Sequence, residues 1–308
     1  MRRPLYPIVM PVALVTLAVT SLLILAQAGA QQGGLGAGAG RGQGGGLGRG
    51  AQPVAYNDYT GYVKLWDGQT LNGWEGETDV WSIDNGGIHA DTIKTPGQHH
   101  IHYTGPGAVM KDFDLKVEFR ISEMGANGGV QYRSRLLHPA HAGSIENPLG
   151  KPLPAGITTL AQAIAAGVTA APAGGGSAPN PWQVSGYQFD LNSGNNYTGQ
   201  LYEGQGRGIV NPPGGIVQLL PSGQNLRIGA VTPNPTEFMK PHKGLAGEWQ
   251  QVQIVARGNT LVHLINGQVL TISIDDNPAA RAAQGILSLQ LEGSGQIWYR
   301  NVYVKRLE

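Results

Sequence analysis

The sequence predicts an all-β protein, a two-sheet sandwich or jelly roll, and three observations carry that expectation. Short segments alternate apolar and polar residues with a period of two, which places one strand face in a core and the other in water. Asn-Gly, Asp-Gly and Gly-Asn pairs separate these segments at hairpin spacing. Only 13% of the residues are charged, against about a quarter in an ordinary globular chain, and 48 of 308 are glycine. Long helical patterns and a βαβ rhythm therefore have little sequence to draw on.

Residues 1–30 read as an export signal. Arg2 and Arg3 form its charged start, Ile8 to Ala26 its apolar run, and Ala28-Gly29-Ala30 a small-residue cleavage site. Removing it takes away two arginines and no acids, so the formal net charge moves from +1 to −1. The apolar run is nearly long enough to span a bilayer, and an uncleaved anchor is the competing outcome. Cleavage predicts a periplasmic or extracellular protein with no membrane contact. The chain has no cysteine, so disulfides, thiolate metal sites and a lipid-modified N-terminal cysteine are excluded. No basic run interleaves with aromatic residues, and nucleic acid is not an expected partner. Eleven of residues 31–50 are glycine, and residues 31–55 are expected to be a flexible linker ahead of a folded domain over 56–308.

The domain opens at Val63-Lys64-Leu65-Trp66-Asp67-Gly68 and Leu71-Asn72-Gly73-Trp74, followed by the hairpin pattern Trp81-Ser82-Ile83-Asp84-Asn85-Gly86-Gly87-Ile88. Trp66, Trp74 and Trp81 are read as core. Gln98-His99-His100-Ile101-His102 would place His100 and His102 on one strand face, which permits a metal pair. With no acid close by in sequence, a solvent-exposed strand is expected there. Phe113 to Ile121 alternates without a break: Phe113, Leu115, Val117, Phe119 and Ile121 inward, and Asp114, Lys116, Glu118 and Arg120 toward water. A turn at Gly125 to Gly129 leads into Val130 to Arg135, where Gln131, Arg133 and Arg135 are expected on one face.

Leu136 to Pro181 breaks the rhythm. This insertion, about residues 137–181 of the domain, carries an alanine-rich patch at Thr158 to Ala166 that could form a short helix. The stretch Gly186 to Gly208 organises the rest. Tyr187, Phe189 and Leu191 face a core while Gln188 and Asp190 point away; a Leu201-Tyr202-Glu203 strand and a glycine-flanked Arg207 follow. Gly244 to Ile274 reads as a meander turning at Gly258-Asn259 and Asn266-Gly267, and strands at Gly285 to Glu292 and Gln296 to Lys305 close the domain.

Several mechanisms have no residues to run on. There is no phosphate cradle leading into a helix, no G-x-S-x-G elbow, and no closely spaced run of acids for a retaining glucanase.

The segments LWDGQTLNGW, VWSIDNGGI, DFDLKVEFRI, NGGVQYRSR, GYQFDL with TGQLYEGQGRGI, GEWQQVQIVARGNTLVHLINGQVL and GILSLQLEGSGQIWYRNVYVKRL resemble, in order, the 3-keto-disaccharide hydrolase domain family. The resemblance covers roughly residues 60–308 apart from the insertion. It implies a concanavalin A-like jelly-roll sandwich acting on a sugar already oxidised to a ketone at C3. Such a ketone acidifies the C2 proton, so a base can remove it, the C1 substituent can leave, and water can add. The chemistry needs a base, donors for the enolate oxygen, and contacts to hydroxyls. With roles assigned by that chemistry to the polar residues of the two stretches, Asp190 or Glu203 would be the base, and Arg133 and Arg207 the oxyanion donors. Asn127, Gln131, Gln188, Tyr202, Gln290 and Glu292 would bind the 3-keto-glycoside. In the family the position of Gln188 is often an acid and that of Glu292 often a histidine. These two departures bear on where the base sits and on metal use: no cofactor is implied, and a divalent metal stays open. The alternative is a non-catalytic carbohydrate-binding module, since the same sandwich serves as a lectin.

Overall fold

The computed structural model describes residues 56–94, 96–122, 125–137, 181–194, 196–231 and 248–307, together with positions 155, 156, 162 and 166. The expected export signal, the linker and nearly all of the insertion lie outside the described residues; of the expected short helix, Gln162 is helical and its carbonyl accepts from the Ala166 N–H at 2.9 Å.

The strands begin with β1 (Val63–Lys64), β2 (Trp74–Gly76), β3 (Trp81–Asp84), β4 (Gly87–Asp91), β5 (Gly97–Tyr103) and β6 (Phe113–Ile121). Next come β7 (Ala126–Leu136), β8 (Val184–Asn192), β9 (Leu201–Gly204), β10 (Gly208–Asn211), β11 (Gly215–Leu219) and β12 (Asn225–Ala230). The last are β13 (Gln250–Arg257), β14 (Thr260–Ile265), β15 (Gln268–Asp275), β16 (Ile286–Gly293) and β17 (Gln296–Arg306). They form two sheets, as the alternation predicts. One is ten-stranded, in the order β12-β11-β15-β14-β13-β6-β17-β4-β3 with β1 on β17; the other is seven-stranded, in the order β10-β9-β8-β7-β16-β5-β2. The chain crosses between sheets repeatedly (β4 to β5 to β6 to β7, and later β15 to β16 to β17), the jelly-roll habit that makes most pairings long-range.

Local chemistry explains the tight turns. Asn85 and Gly86 join β3 to β4 with φ of 45° and 73°, and Asn266 and Gly267 join β14 to β15 with 48° and 79°. Two successive positive φ values are what a two-residue hairpin requires, and Asn-Gly adopts them at least cost. The core lies between the sheets. Phe113, Leu115, Val117, Phe119 and Ile121 of β6 are completely buried, as are Val130, Tyr132, Tyr187, Phe189, Leu191, Leu289 and Leu291 of the opposing sheet. Trp66, Trp74 and Trp81 join them, as read from the sequence.

Two expectations fail for the same reason. Lys116, placed in water by the alternation of β6, is buried under residues 56–62: its Nζ donates to the Tyr56 and Asp58 carbonyls at 2.9 and 2.7 Å and lies 4.8 Å from the Tyr62 ring centroid. The histidine strand β5 is not solvent-exposed. It runs inside the seven-stranded sheet between β16 and β2, and His99, His100 and His102 are all buried. The missing acid for His99 arrives from Glu77, 2.9 Å from Nδ1. In both cases the covering group is distant in sequence, and a local pattern carries no information about it.

The seven-stranded sheet is buried on its second face as well, although that face carries glutamines, histidines and a carboxylate rather than aliphatic side chains. A polar face removed from water needs internal partners or a ligand.

Candidate functional site

Strand alternation and register build that polar face in three rows. The first runs Asn192, Asn127, Glu292, Gln98 across β8, β7, β16 and β5. The second runs Asp190, Gly129, Gln290, His100 over the same strands, and the third runs Tyr202, Gln188, Gln131, Ser288, His102 starting from β9. Above them lies a cleft of about 300 Å³, at the low end for ligand sites. Of the residues expected to act, Asp190, Asn127, Gln131, Gln188, Tyr202, Gln290 and Glu292 all line it.

Hydrogen bonds in this floor converge on Asp190. Gln131 Nε2 donates to Gln188 Oε1 at 2.6 Å, and Gln188 Nε2 donates to Gln290 Oε1 at 2.8 Å and to Asp190 Oδ1. Gln200 Nε2 donates to the other Asp190 oxygen. At the far end, Gln98 and Asn127 donate to the two oxygens of Glu292 at 2.9 and 3.2 Å. Burial pushes the Asp190 carboxyl up to about 7; the Gln200 and Gln188 amides pull it back, and the Glu292 charge adds a smaller push upward. A carboxylate held at that value is suited to taking and returning a proton near neutral pH.

Other polar atoms here have no partner. Asn127 Oδ1, Gln131 Oε1 and both ring nitrogens of His100 are buried without a hydrogen bond. Such orphans are costly in a finished core and are expected where a ligand completes the set. Among the described residues no three His, Asp or Glu side chains stand close enough to share a metal ion. The four carboxylate oxygens of Asp190 and Glu292 are each engaged by an amide.

Gly129 keeps the floor open. A Cβ there would lie 2.5 Å from Gln188 Nε2 and 2.7 Å from its Cγ. Gly129→Ala is therefore expected to fold but to push the Gln188 amide off Asp190 and Gln290, costing about 1–3 kcal/mol of stability. A crystal structure of the variant with Gln188 unmoved would refute this.

Three expected site residues are elsewhere. Arg133 does not share a face with Gln131. It has a φ of 47° in a bulge where the β7 register to β8 shifts between Tyr132 and Arg135, so one extra residue turns its side chain away from the cleft. Its guanidinium donates to the carbonyls of Lys111, Gly258 and Ala282 at 2.8, 2.8 and 3.3 Å and pairs with Asp112 at 2.9 Å. Glu203 lies opposite Tyr187, not Gln188, and so points to the inward face. Arg207 binds Glu203 and makes a two-pronged bond to Asp275 at 2.6 and 3.2 Å, with the Tyr187 hydroxyl on the same carboxylate. These groups satisfy one another, and none lines the cleft.

The structure adds residues that the sequence reading did not assign to the site: His100, weighed there only as half of a metal pair on an exposed strand, its neighbour Gln98, and Gln183, Tyr197, Gln200 and the exposed Ile209. The signal for two of them was present, because Gln98 and His100 alternate with His99 and Ile101 just as Gln188 and Asp190 alternate with Phe189. Gln200 carried no local signal.

By sequence, the 3-keto-alpha-glucoside-1,2-lyase-like domain matches residues 61–305. No curated protein matches the chain. Among solved structures, a candidate glycosyl hydrolase from Parabacteroides distasonis ATCC 8503 is 15% identical, over 81% of this chain and 95% of its own, with a TM-score of 0.41. Carbohydrate-binding module CBM66 from Bacillus subtilis is 10% identical, over 76% and 95%, with a TM-score of 0.40. A Bacillus subtilis protein with a galectin-like fold is 9% identical, over 82% and 92%, with a TM-score of 0.43.

Proposed function

The chain belongs to the 3-keto-alpha-glucoside-1,2-lyase-like domain family, and from that premise we propose that it is an exported enzyme cleaving 3-keto-glycosides, with Asp190 as the base. The observation that carries the reading is the placement of Asp190: a buried carboxylate on the cleft floor, held by two amides and poised near 7.

The steps balance within the residues present. Asp190 takes the C2 proton, and the electron pair of that C–H bond forms an enolate with its charge on the C3 oxygen. Collapse of the enolate forms the C1–C2 double bond and breaks the bond from C1 to the departing oxygen. That oxygen takes a proton from water, the hydroxide left behind adds to C1, and Asp190 returns its proton to C2. The net change is hydrolysis with no oxidant. The orphaned oxygens of Gln131 and Asn127 offer acceptors to sugar hydroxyls.

The test is turnover. The protein is expected to cleave a 3-keto-glucoside and to leave the unoxidised glucoside intact, assayed with and without a chelator. Because the base must be ionised, kcat/KM should rise with pH through about 7 and level off above it. Sugar binding with no turnover of any 3-keto-glycoside would instead make the domain a carbohydrate-binding module. Export rests on Arg2, Arg3, the apolar run and Ala28-Gly29-Ala30; N-terminal sequencing of periplasmic or secreted material should begin near Gln31, and an intact Met1 would reject cleavage. Among the described residues no helix is long and apolar enough to cross a membrane.

A further inference from the structure

We propose that His100 is a second catalytic residue of this cleft, a neutral imidazole whose ring N–H donates to the C3 oxygen of the bound keto-sugar and holds the charge that gathers there. The proposal rests on the 3-keto-glycoside reading and adds to it the electrophile that Arg133 and Arg207 do not supply.

Placement comes first. His100 stands at the end of the row Asp190, Gly129, Gln290, His100, on the same sheet face as the base. Three strand spacings separate the backbones of the two outer residues, roughly 14 Å. Gly129 contributes no side chain between them and leaves room for the Gln188 amide, which lies over it, so the space above the Gln188 and Gln290 amides is flanked by a carboxylate on one side and an imidazole on the other. In the proposed pose the ring lies across this space with C2 toward Asp190 and its C3 oxygen toward His100.

The state of the imidazole comes second. It is 1% exposed, it lines the cleft, and neither ring nitrogen has a partner. No hydrogen bond holds the ring, so a turn that brings one nitrogen to the ligand breaks nothing. His263 makes the contrast. It is equally buried, but its Nε2 meets the Tyr132 hydroxyl at 2.8 Å and its Nδ1 the Gly199 carbonyl at 3.1 Å, as a structural histidine should. Burial drives His100 down to about 3, with the neighbouring His99 charge adding to the fall, so it stays neutral wherever Asp190 works. A neutral imidazole polarises a carbonyl without giving a proton to the base across the cleft. It also carries one donor and one acceptor, so the second nitrogen is free for a neighbouring hydroxyl.

Kinetics separate this role from a packing role. His100→Leu removes the donor at similar bulk, and His100→Gln keeps one. The leucine variant should unfold no earlier than wild type, since it replaces an unpaired buried polar group by an apolar one. Its kcat on a 3-keto-glucoside should fall about 10²–10³-fold with KM little changed, while His100→Gln stays within about tenfold of wild type. The rise in activity through pH 7, set by Asp190, should survive in both. Full kcat in His100→Leu, or equal losses in both variants, overturns the proposal. An inactive wild type overturns the functional reading instead. The contact is then read from imidazole nitrogen resonances with 3-keto-glucose as probe. Shifts at His100 and not at His263 uphold the contact as a binding one, and no shift at His100 removes it.

Discussion

Asp190→Asn is expected to lower turnover of a 3-keto-glycoside by about 10²–10⁴-fold and, at the same time, to raise the temperature at which the protein unfolds. The second effect follows from burial. The folded-state carboxyl titrates at about 7 against an ordinary 3.8. Between those two values the unfolded chain has released the proton that the folded protein still holds, so stability falls as pH rises through this window. Above about 7 the folded protein must keep a charge in a place that disfavours it. Roughly three pK units at 1.36 kcal/mol each set an upper limit on the order of 4 kcal/mol. Asparagine removes that cost, though Gln200 must turn its amide over to accept where it now donates, so a gain of about 1–3 kcal/mol is expected. In a domain of this size that is several degrees of unfolding temperature. Melting curves at pH 4 and pH 8 check the sign: the gain should be present at pH 8 and nearly absent at pH 4. A variant less stable than wild type at pH 8 would make Asp190 a structural partner and remove it as the base.

Arg207→Met is expected to do the reverse, damaging the fold and sparing the chemistry. Arg207 is the cation between Glu203 and Asp275, and the Asp275 side chain is wholly buried. Its removal leaves two buried or nearly buried carboxylates facing one another, for which a loss of about 3–5 kcal/mol is the usual scale. Below its own melting temperature the variant should turn over substrate at close to the wild-type rate per folded molecule. Chemical denaturation and active-site-normalised kinetics measure the two effects separately. Wild-type stability combined with a hundredfold loss of kcat would return Arg207 to the oxyanion role that the sequence suggested.

Asp190 and Arg207 also mark how far the sequence alone reaches. Both belong to the stretch Gly186 to Gly208, whose density of polar groups on a core-forming strand points to a site, yet only Asp190 is in the cleft. Asp190 was legible because it sits on an unbroken alternation: Tyr187, Phe189 and Leu191 are core, so Gln188 and Asp190 must leave the other face, and they do. The same logic recovered Gln131, Gln290 and Glu292. Glu203 and Arg207 failed because a glycine- and asparagine-rich turn separates β9 and the residues after it from that alternation, and the face of β9 is decided by its register to β8, where Glu203 meets Tyr187.

Period-two patterning and turn chemistry alone determined that this chain is a β-sandwich, where most of its strands lie, and which face of β6 and β8 is core. Those are local properties, fixed by pleat geometry and by the φ values that Asn-Gly pairs tolerate. Tertiary structure alone decided which strands are neighbours, and therefore that residues 98, 100, 127, 131, 190, 290 and 292 share one cleft. It also decided that Glu77 reaches His99, that residues 56–62 cover Lys116, and that His100 is buried without a partner. Arg133 shows the physical reason most directly. One extra residue in a bulge reverses the face of every side chain counted across it, and the bulge is set by pairing with strands far away in sequence rather than by the residues around it.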